Sequence, residues 1–291
     1  MKQEAFCTGC RNKTGKEEIR ETEIEGAYRK QEEILSISEM KKLMKLYRIG
    51  KAPLSLALGF GEITVTRYLS GQIPSKEYSD RMRKALSSPT FMKELLIENQ
   101  DKIAPAAFRK AGKAAEELEE RFSLSEESLR VIADLFHELK DLSFSELHHL
   151  LYFANGISLA VQHKVLFPEC CERNINGPVF PKVQDLFYDF TFNPGEDVRF
   201  AVLEGKESEL SREERRVTDL VGNTFGLYSG RGLGRIFQAQ QAEIRKMGDG
   251  PDTDGVILPA EVEAYYRTKQ NTYDFSTVSG IQQYIHSVLN A

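Results

Sequence analysis

The amino-acid sequence predicts a mainly α fold, in which a bundle of short helices is followed by a second, mostly helical domain. Apolar residues recur at intervals of three and four along most of the chain, which is the period of one helix face. Glycine, proline and capping residues divide these stretches into short helices. The length of 291 residues and the 41% share of hydrophobic residues allow two domains, each with its own core.

Charge, cysteine content and hydropathy limit the classes of protein to which this chain can belong. The net charge of −5 argues weakly against a nucleic-acid binder, so the distribution of charge matters more than its sum. The first residues, MKQEAFCTGCRNK, lack the apolar core of a signal peptide. No apolar run reaches the roughly 18 residues of a membrane helix. We therefore expect a cytoplasmic protein with no membrane partner and with reduced cysteines.

The pattern divides the chain into four segments. Residues 1–35 form a short polar segment, and a small β element, a hairpin around Gly26, is compatible with it. Residues 36–104 form the helical bundle, and residues 105–122 form an alanine-rich helical linker. Residues 123–291 form the second domain.

Five helices are predicted in the bundle. Ser38, followed by Glu39, caps the first helix, and Gly50 ends it. Pro53 suits the first turn of the second helix, and a glycine in Gly59-Phe60-Gly61 allows a tight turn before the third. The later helices are expected at residues 54–58, 62–70, 77–86 and 91–99. The small interior is expected to contain Leu54, Ala57, Ile63 and Val65.

The second and third helices have the pattern of a helix-turn-helix, whose second helix lies in the major groove of DNA. Arg67 is suited to read guanine through two hydrogen bonds. Thr64 and Thr66 are suited to contact phosphate or a thymine methyl group. Residues 36–93 carry eleven basic and four acidic residues, a net charge of +7, which favours phosphate contact. The alternative is a bundle with a basic surface and no nucleic acid. The candidate DNA contacts are Glu62, Thr64, Thr66, Arg67, Lys51 and Lys76.

The second domain is predicted from two apolar helical stripes, at residues 129–136 and 147–154. Prolines and a Gly-Pro pair break the chain before a helix at residues 183–190, and further helices are expected at 212–220 and from residue 262. The glycine-rich stretch 222–234 is expected to be a flexible loop. His148 and His149 are adjacent on a helix, so they point about 100° apart and are expected to pack rather than share a metal ion.

The segment Asn176–Pro181 is the most distinctive part of the second domain. Its glycine and two prolines fix the backbone, and we expect Val179 or Phe180 to be exposed for binding a partner. A rigid connection between helices is the alternative. The candidate partner-binding residues are Tyr152, Phe153, Asn155, Gly177, Pro178, Val179 and Phe180.

Residues 36–104 resemble the DNA-binding part of the MqsA-type antitoxins, within the Xre-like helix-turn-helix group. The resemblance lies in ISEMKKLMKLYRI, LALGFGEITVTRYLSGQIPSK and SSPTFMKELLIENQDKI. It implies that Thr64, Thr66 and Arg67 contact DNA. Such proteins often carry a zinc knot of two Cys-x-x-Cys pairs, whereas Cys7 and Cys10 match one pair. A structural zinc ion takes four ligands. We therefore expect no cofactor, with a zinc site shared across a dimer as the alternative.

Residues 129–267 resemble the Panacea (SocA-like) antitoxin domain. The matching pieces are ELHHLLYFANGISLAV, VLFPE and NGPVFPKVQDLF, with a weaker match in VILPAEVEAYY. Together the two resemblances imply a DNA-binding antitoxin of a type II toxin–antitoxin system. A homodimer is expected because paired half-sites raise affinity and read symmetric operators. The antitoxin would neutralise a nearby-encoded protein toxin by binding and repress its own operon. The alternative is a phage or mobile-element transcriptional regulator whose second domain binds another protein.

Enzymatic activity is not expected. Cys170 or Cys171 with His163 would be a conceivable nucleophile and base, but no family pattern surrounds them and nothing orients them. A hydrolase is the remaining alternative, and it would require a cleft with convergent titratable residues.

Overall fold

The computed structural model describes residues 34–139, 141–190, 197–247 and 255–290. It confirms the mainly α fold, with one small three-stranded sheet among these residues. The chain divides into two compact units after Leu118, close to the predicted boundary at residue 123. The predicted hairpin around Gly26 lies outside the described residues.

The first unit is built from short helices in the predicted order. They are α1 (Ile37–Leu46), α2 (Lys51–Ala57), α3 (Thr64–Leu69), α4 (Lys76–Ser87) and α5 (Pro89–Glu98), followed by a 3-10 turn, Gln100–Lys102. The next helix, α6 (Pro105–Arg121), includes the boundary between the units. Helix α1 packs on α4, α2 packs on α3 and α5, and α4 packs on α5.

Helix α1 is capped by Ser36, two residues before the predicted cap. The side chain of Ser36 accepts a hydrogen bond from the backbone N–H of Glu39, and the Glu39 carboxylate accepts one from the backbone N–H of Ser36. This reciprocal capping box satisfies donors that the first helical turn leaves unpaired. The prediction that Ser38 caps this helix was therefore wrong, because Glu39 stands at the third helical position after Ser36.

The core of the first unit is closed by buried polar contacts between helices. The Tyr47 hydroxyl donates to the backbone carbonyl of Ala85 over 2.7 Å. The Asn99 amide donates to the backbone carbonyl of Ala57 over 3.1 Å. Buried polar groups that are paired in this way hold helices in a defined position without the cost of an unsatisfied group.

The second unit is arranged around helix α8 (Phe144–Gln162), which is buried on almost every side. Helices α7 (Glu126–Glu138), α10 (Arg212–Gly222), α11 (Gly230–Met247) and α12 (Pro259–Lys269) pack on it. The other helices are α9 (Pro181–Phe187) and α13 (Val278–Asn290), and 3-10 turns occur at Val198–Val202, Lys206–Glu209 and Phe225–Leu227. A helix that is apolar all round belongs in the middle of a core.

The sheet of the second unit consists of β1 (Cys171–Asn174), β2 (Gly177–Val179) and β3 (Val256–Ile257), in the order β2-β1-β3. Both pairs are antiparallel, with Glu172 opposite Val179 and Cys171 opposite Ile257. Residues Ile175 and Asn176 form the turn between β1 and β2. The sequence predicted a partner-binding segment here, with a rigid connection between helices as the alternative, and the structure shows a β-hairpin.

Two helices of the second unit differ from the prediction. The predicted helix 183–190 runs instead from Pro181 to Phe187, with proline in its first turn. The stretch 222–234, predicted as a flexible loop, ends in α11, which begins at Gly230 and continues to Met247. Its apolar face, including Leu233, Ile236 and Phe237, is fully buried.

Candidate nucleic-acid interface

Helices α2 and α3 are joined by a tight turn that depends on Gly59. This residue has φ +74°, a left-handed conformation that glycine adopts without strain. The backbone N–H of Phe60 then donates to the carbonyl of Ser55 over 2.8 Å. Phe60 is buried and stacks on Tyr78 of α4, with ring centroids 4.0 Å apart. The turn is therefore fixed to the body of the unit.

Ser55 links α2 directly to the start of α3. Its hydroxyl is fully buried, donates to the carbonyl of Lys51 over 3.0 Å and accepts from the backbone N–H of Val65 over 3.0 Å. Ile63, which precedes α3, offers no side-chain cap. Ser55 thus caps α3 from the neighbouring helix, and this contact sets the angle at which α3 leaves the turn.

Helix α3 presents an outward stripe of four exposed residues, Ile63, Thr66, Arg67 and Ser70. These positions follow the i, i+3, i+4 and i+7 spacing of one helix face. On the opposite side, Val65 and Tyr68 are buried in the unit. The outward stripe is therefore free to contact another molecule along the whole helix.

The structure places the predicted DNA contacts on the surface around this helix. Glu62, Thr66, Arg67, Lys51 and Lys76 are exposed, and Thr64 is half-buried. Ile63 was predicted to lie in the interior together with Val65, but 55% of it is exposed, because the buried side of α3 is formed by Val65 and Tyr68. Sequence reasoning therefore missed Ile63 as a surface residue at the start of α3. The spacing from Thr66 and Arg67 could have indicated it.

The basic residues of the first unit differ in whether an acidic partner neutralises them. Lys76 forms an ion pair with Asp80 over 3.0 Å, and Arg48 forms one with Glu117 over 2.8 Å. The side chains of Lys51 and Arg67 form no ion pair with any residue that the structure describes. Exposed cations without internal partners are available for phosphate or base contacts.

Most of the predicted partner-binding residues are buried in the second unit, so the expectation that Phe180 is exposed was wrong. Tyr152, Phe153 and Phe180 are each no more than 2% exposed. Phe153 stacks on Phe225 with centroids 4.1 Å apart, and the Tyr152 hydroxyl accepts from the Gln241 amide over 2.9 Å. Side chains enclosed in this way are unable to form a surface groove.

The remaining predicted partner residues also have internal roles. The Asn155 amide oxygen accepts from the backbone N–H of Leu166 over 2.8 Å, which fixes the chain after α8. Gly177 and Pro178 are buried, and Val179 is half-buried in the hairpin. Phe180 was expected to be exposed in this proline-containing segment, but its ring is fully buried and packs against Phe167.

The histidine pair on α8 holds the hairpin in place. The Nδ1 atom of His148 accepts from the backbone N–H of Phe180 over 3.2 Å, and burial lowers the pKa of His148 to about 4. The Nδ1 atom of His149 lies 2.7 Å from the carbonyl oxygen of Ser145, and its ring packs against Gly177. Burial also lowers the pKa of His149. These two histidines have different partners and share no site.

Cys7 and Cys10, the predicted alternative zinc ligands, lie outside the described residues. Among the residues that the structure does describe, no group of three or more metal-ligating side chains occurs. Cys171 is buried in β1, and Cys170 beside it is exposed. In the same described ranges, no helix is long and apolar enough to cross a membrane.

Comparison with other proteins gives no relative from which a role could be transferred. No family model, no curated protein and no solved structure matches this chain.

Proposed function

We propose that the first unit binds double-stranded DNA, with α3 in the major groove. The observation that carries this proposal is the outward stripe of α3, where Arg67 is exposed beside Thr66 and forms no ion pair with a described residue. The tight turn at Gly59 and the cap from Ser55 hold this helix in one orientation. Rigid placement matters because specific base contacts need side chains at defined positions along the groove.

The distribution of charge supports the same proposal. Residues 36–93 carry a net charge of +7 in a chain of −5, so the positive charge is concentrated where the helix pair lies. Lys51, at the start of α2, is a candidate phosphate contact, and Arg67 is a candidate base contact. A homodimer would present two such helices to the half-sites of a symmetric operator.

We further propose that the protein is an antitoxin of a type II toxin–antitoxin system that acts in the cytoplasm. The resemblance of its two halves to MqsA-type and Panacea antitoxins supports this role. In this role, the second unit neutralises a protein toxin encoded nearby by binding it stoichiometrically rather than by catalysis. The first unit represses the operon.

DNA binding is tested with duplexes selected from a randomised pool by the full-length protein. Arg67→Ala is expected to weaken binding to the selected duplex by about tenfold to a hundredfold, because a bidentate arginine–guanine contact contributes about 1–3 kcal/mol. Arg67→Lys keeps the charge but loses the forked geometry, so it is expected to lose the guanine preference as well. Lys51→Ala is expected to weaken all duplexes alike and to reduce the salt dependence.

Arg109→Ala is the matched control, since Arg109 is an exposed arginine on α6 outside the helix pair. Its affinity and sequence preference are expected to equal those of the wild type. If Arg67→Ala leaves both the affinity and the guanine preference unchanged, α3 is not the reading helix.

The antitoxin role is tested by co-expressing the protein with each adjacent gene in a growth assay. We expect one neighbour to arrest growth and this protein to restore growth through a stable complex. Arg67→Ala is expected to preserve rescue, because it affects the DNA-binding unit alone. If no neighbour is toxic, the antitoxin role falls and a DNA-binding regulator remains.

A further inference from the structure

A surface groove of about 450 Å³ lies between α11, α13 and the β1–β2 turn of the second unit. The described residues of its walls combine aliphatic side chains with two arginines and include no acidic residue. The residues that matter here are Ile175, Arg231, Arg235, Gln238, Val288 and Leu289.

The aliphatic part of this groove includes an unusually exposed side chain. Ile175, at the hairpin turn, is 89% exposed. A single exposed aliphatic residue is common, but this one borders a groove that is also lined by Val288 and Leu289. The three aliphatic side chains therefore form an apolar surface beside the arginines.

The hairpin turn is held in place from both sides, so Ile175 occupies a fixed position. The Gln238 amide donates to the carbonyl of Ile175 over 3.4 Å, and the Arg173 side chain donates to Gln241 over 2.8 Å, tying the hairpin to α11. Behind the turn, Gly177 packs against the His149 ring so closely that a Cβ atom would lie 2.4 Å from Nε2. A prearranged apolar contact loses little conformational entropy when it binds.

The charged part of the groove consists of two arginines, and no acidic side chain lies among its described lining residues. Arg231 and Arg235 stand one turn apart near the start of α11, and both are exposed. Arg235 donates to the carbonyl of Leu289 over 3.4 Å, whereas Arg231 forms no ion pair with a described residue. Arginine beside aliphatic anchors is typical of protein interfaces, and an occupant with a carboxylate would complement the charge.

We propose that this groove binds a partner protein through a segment in which an acidic residue stands beside aliphatic residues. The carboxylate pairs with Arg231 and Arg235, and the aliphatic side chains pack on Ile175 and Leu289. A protein segment fits better than a nucleic acid, because none of the described residues that line the groove is aromatic and could stack on a base. This inference rests on the proposed protein-binding role of the second unit.

The test uses the full-length protein and a displayed library of random 12-residue peptides as the probe. Enriched peptides are synthesised, and their affinities are measured by fluorescence anisotropy. We expect them to contain aspartate or glutamate next to aliphatic residues. The double variant Arg231→Glu/Arg235→Glu is expected to bind them at least about tenfold more weakly, as for residues that dominate an interface.

The matched control is Arg212→Glu/Arg216→Glu, which reverses two exposed arginines with the same spacing near the start of α10. It is expected to bind the peptides within about twofold of the wild type. Peptides whose acidic residue is replaced by lysine are expected to regain binding to Arg231→Glu/Arg235→Glu. This charge exchange separates a direct contact from a folding defect.

Three results would overturn the proposal. The first is enrichment of peptides without acidic residues, or equal binding by the groove variant and the wild type. The second is a concentration-dependent dimer in sedimentation that Ile175→Asp abolishes, since the groove would then join two copies of this chain. The third is a loss of DNA binding in the groove variant. A failure of the adjacent genes to arrest growth would remove the antitoxin role and leave the peptide result intact.

Discussion

The hydroxyl oxygen of Ser55, on α2, accepts a hydrogen bond from the backbone N–H of Val65, on α3, over 3.0 Å. The N–H groups of a first helical turn have no partner within the helix, and they are usually capped by the residue before it. Here that residue is Ile63, whose side chain has no acceptor. The two helices of the candidate DNA-binding motif are therefore joined by a cap that comes from the first of them.

Ser55→Ala is expected to destabilise α3 and to weaken DNA binding. It leaves the buried N–H of Val65 without an acceptor, which costs about 1–3 kcal/mol. Hydrogen–deuterium exchange of peptides covering residues 62–70 should become faster, and the urea midpoint should fall. Ser208→Ala is the control, because the Ser208 hydroxyl is exposed, lies in the second unit and donates only to the nearby carbonyl of Gly205. Equal exchange in Ser55→Ala and the wild type would show that the cap contributes little.

Ile63 is expected to read a thymine methyl group. It stands on the outward stripe with Thr66 and Arg67, and an exposed aliphatic side chain there matches the C5-methyl of thymine in the major groove. Replacing single thymines of the selected duplex by deoxyuridine removes that methyl alone. At one position we expect a severalfold loss of affinity for the wild type and none for Ile63→Ala. If both proteins lose the same affinity at every position, Ile63 does not contact the methyl.

Phe180→Ala is expected to unfold the second unit rather than to remove a binding contact selectively. The ring is fully buried and packs against Phe167 with centroids 5.6 Å apart. Truncating such a ring costs about 3–5 kcal/mol. Thermal unfolding followed by circular dichroism should show a lower midpoint. Ile175→Ala, on the exposed hairpin turn, should stay close to the wild type, and an unchanged midpoint in Phe180→Ala would contradict the packing.

The Glu146 carboxylate joins the starts of two helices. It accepts from Ser143 in the capping box of α8, and its other oxygen accepts from the backbone N–H of Gly230 at the start of α11 over 2.9 Å. Burial raises the pKa of Glu146, but these hydrogen bonds outweigh burial and leave the pKa below its ordinary value. Ionised Glu146 therefore stabilises the folded state.

The pH dependence of Glu146→Gln follows from this direction. Because the folded pKa lies below the unfolded one, the stabilisation is complete above the ordinary value of 4.5 and is lost as the pH falls through the folded pKa. The melting temperature of Glu146→Gln should lie below that of the wild type at neutral pH, and the two should converge in acid. Glu213→Gln, at an exposed ion pair with Lys164, is expected to change little at either pH. A difference that persists unchanged in acid would contradict the assignment.

Predictions made from the sequence were most accurate where the signal was local. Gly59 marked the turn because few other residues adopt its backbone conformation without strain. The apolar spacing located the helices of the first unit to within a few residues. Helix α11 was missed because its glycine-rich start has low helix propensity. Its capping contact with Glu146 and its buried face come from parts of the chain far away in sequence.

The sequence by itself determined the helical class, the order of the short helices and the concentration of positive charge in the first unit. Those properties depend on neighbouring residues and on composition. The tertiary structure decided which apolar side chains are inside, placing Phe180 in the core and leaving Ile63 and Ile175 exposed. Burial depends on the element that packs opposite each residue, and that partner is set by the assembled core rather than by local sequence.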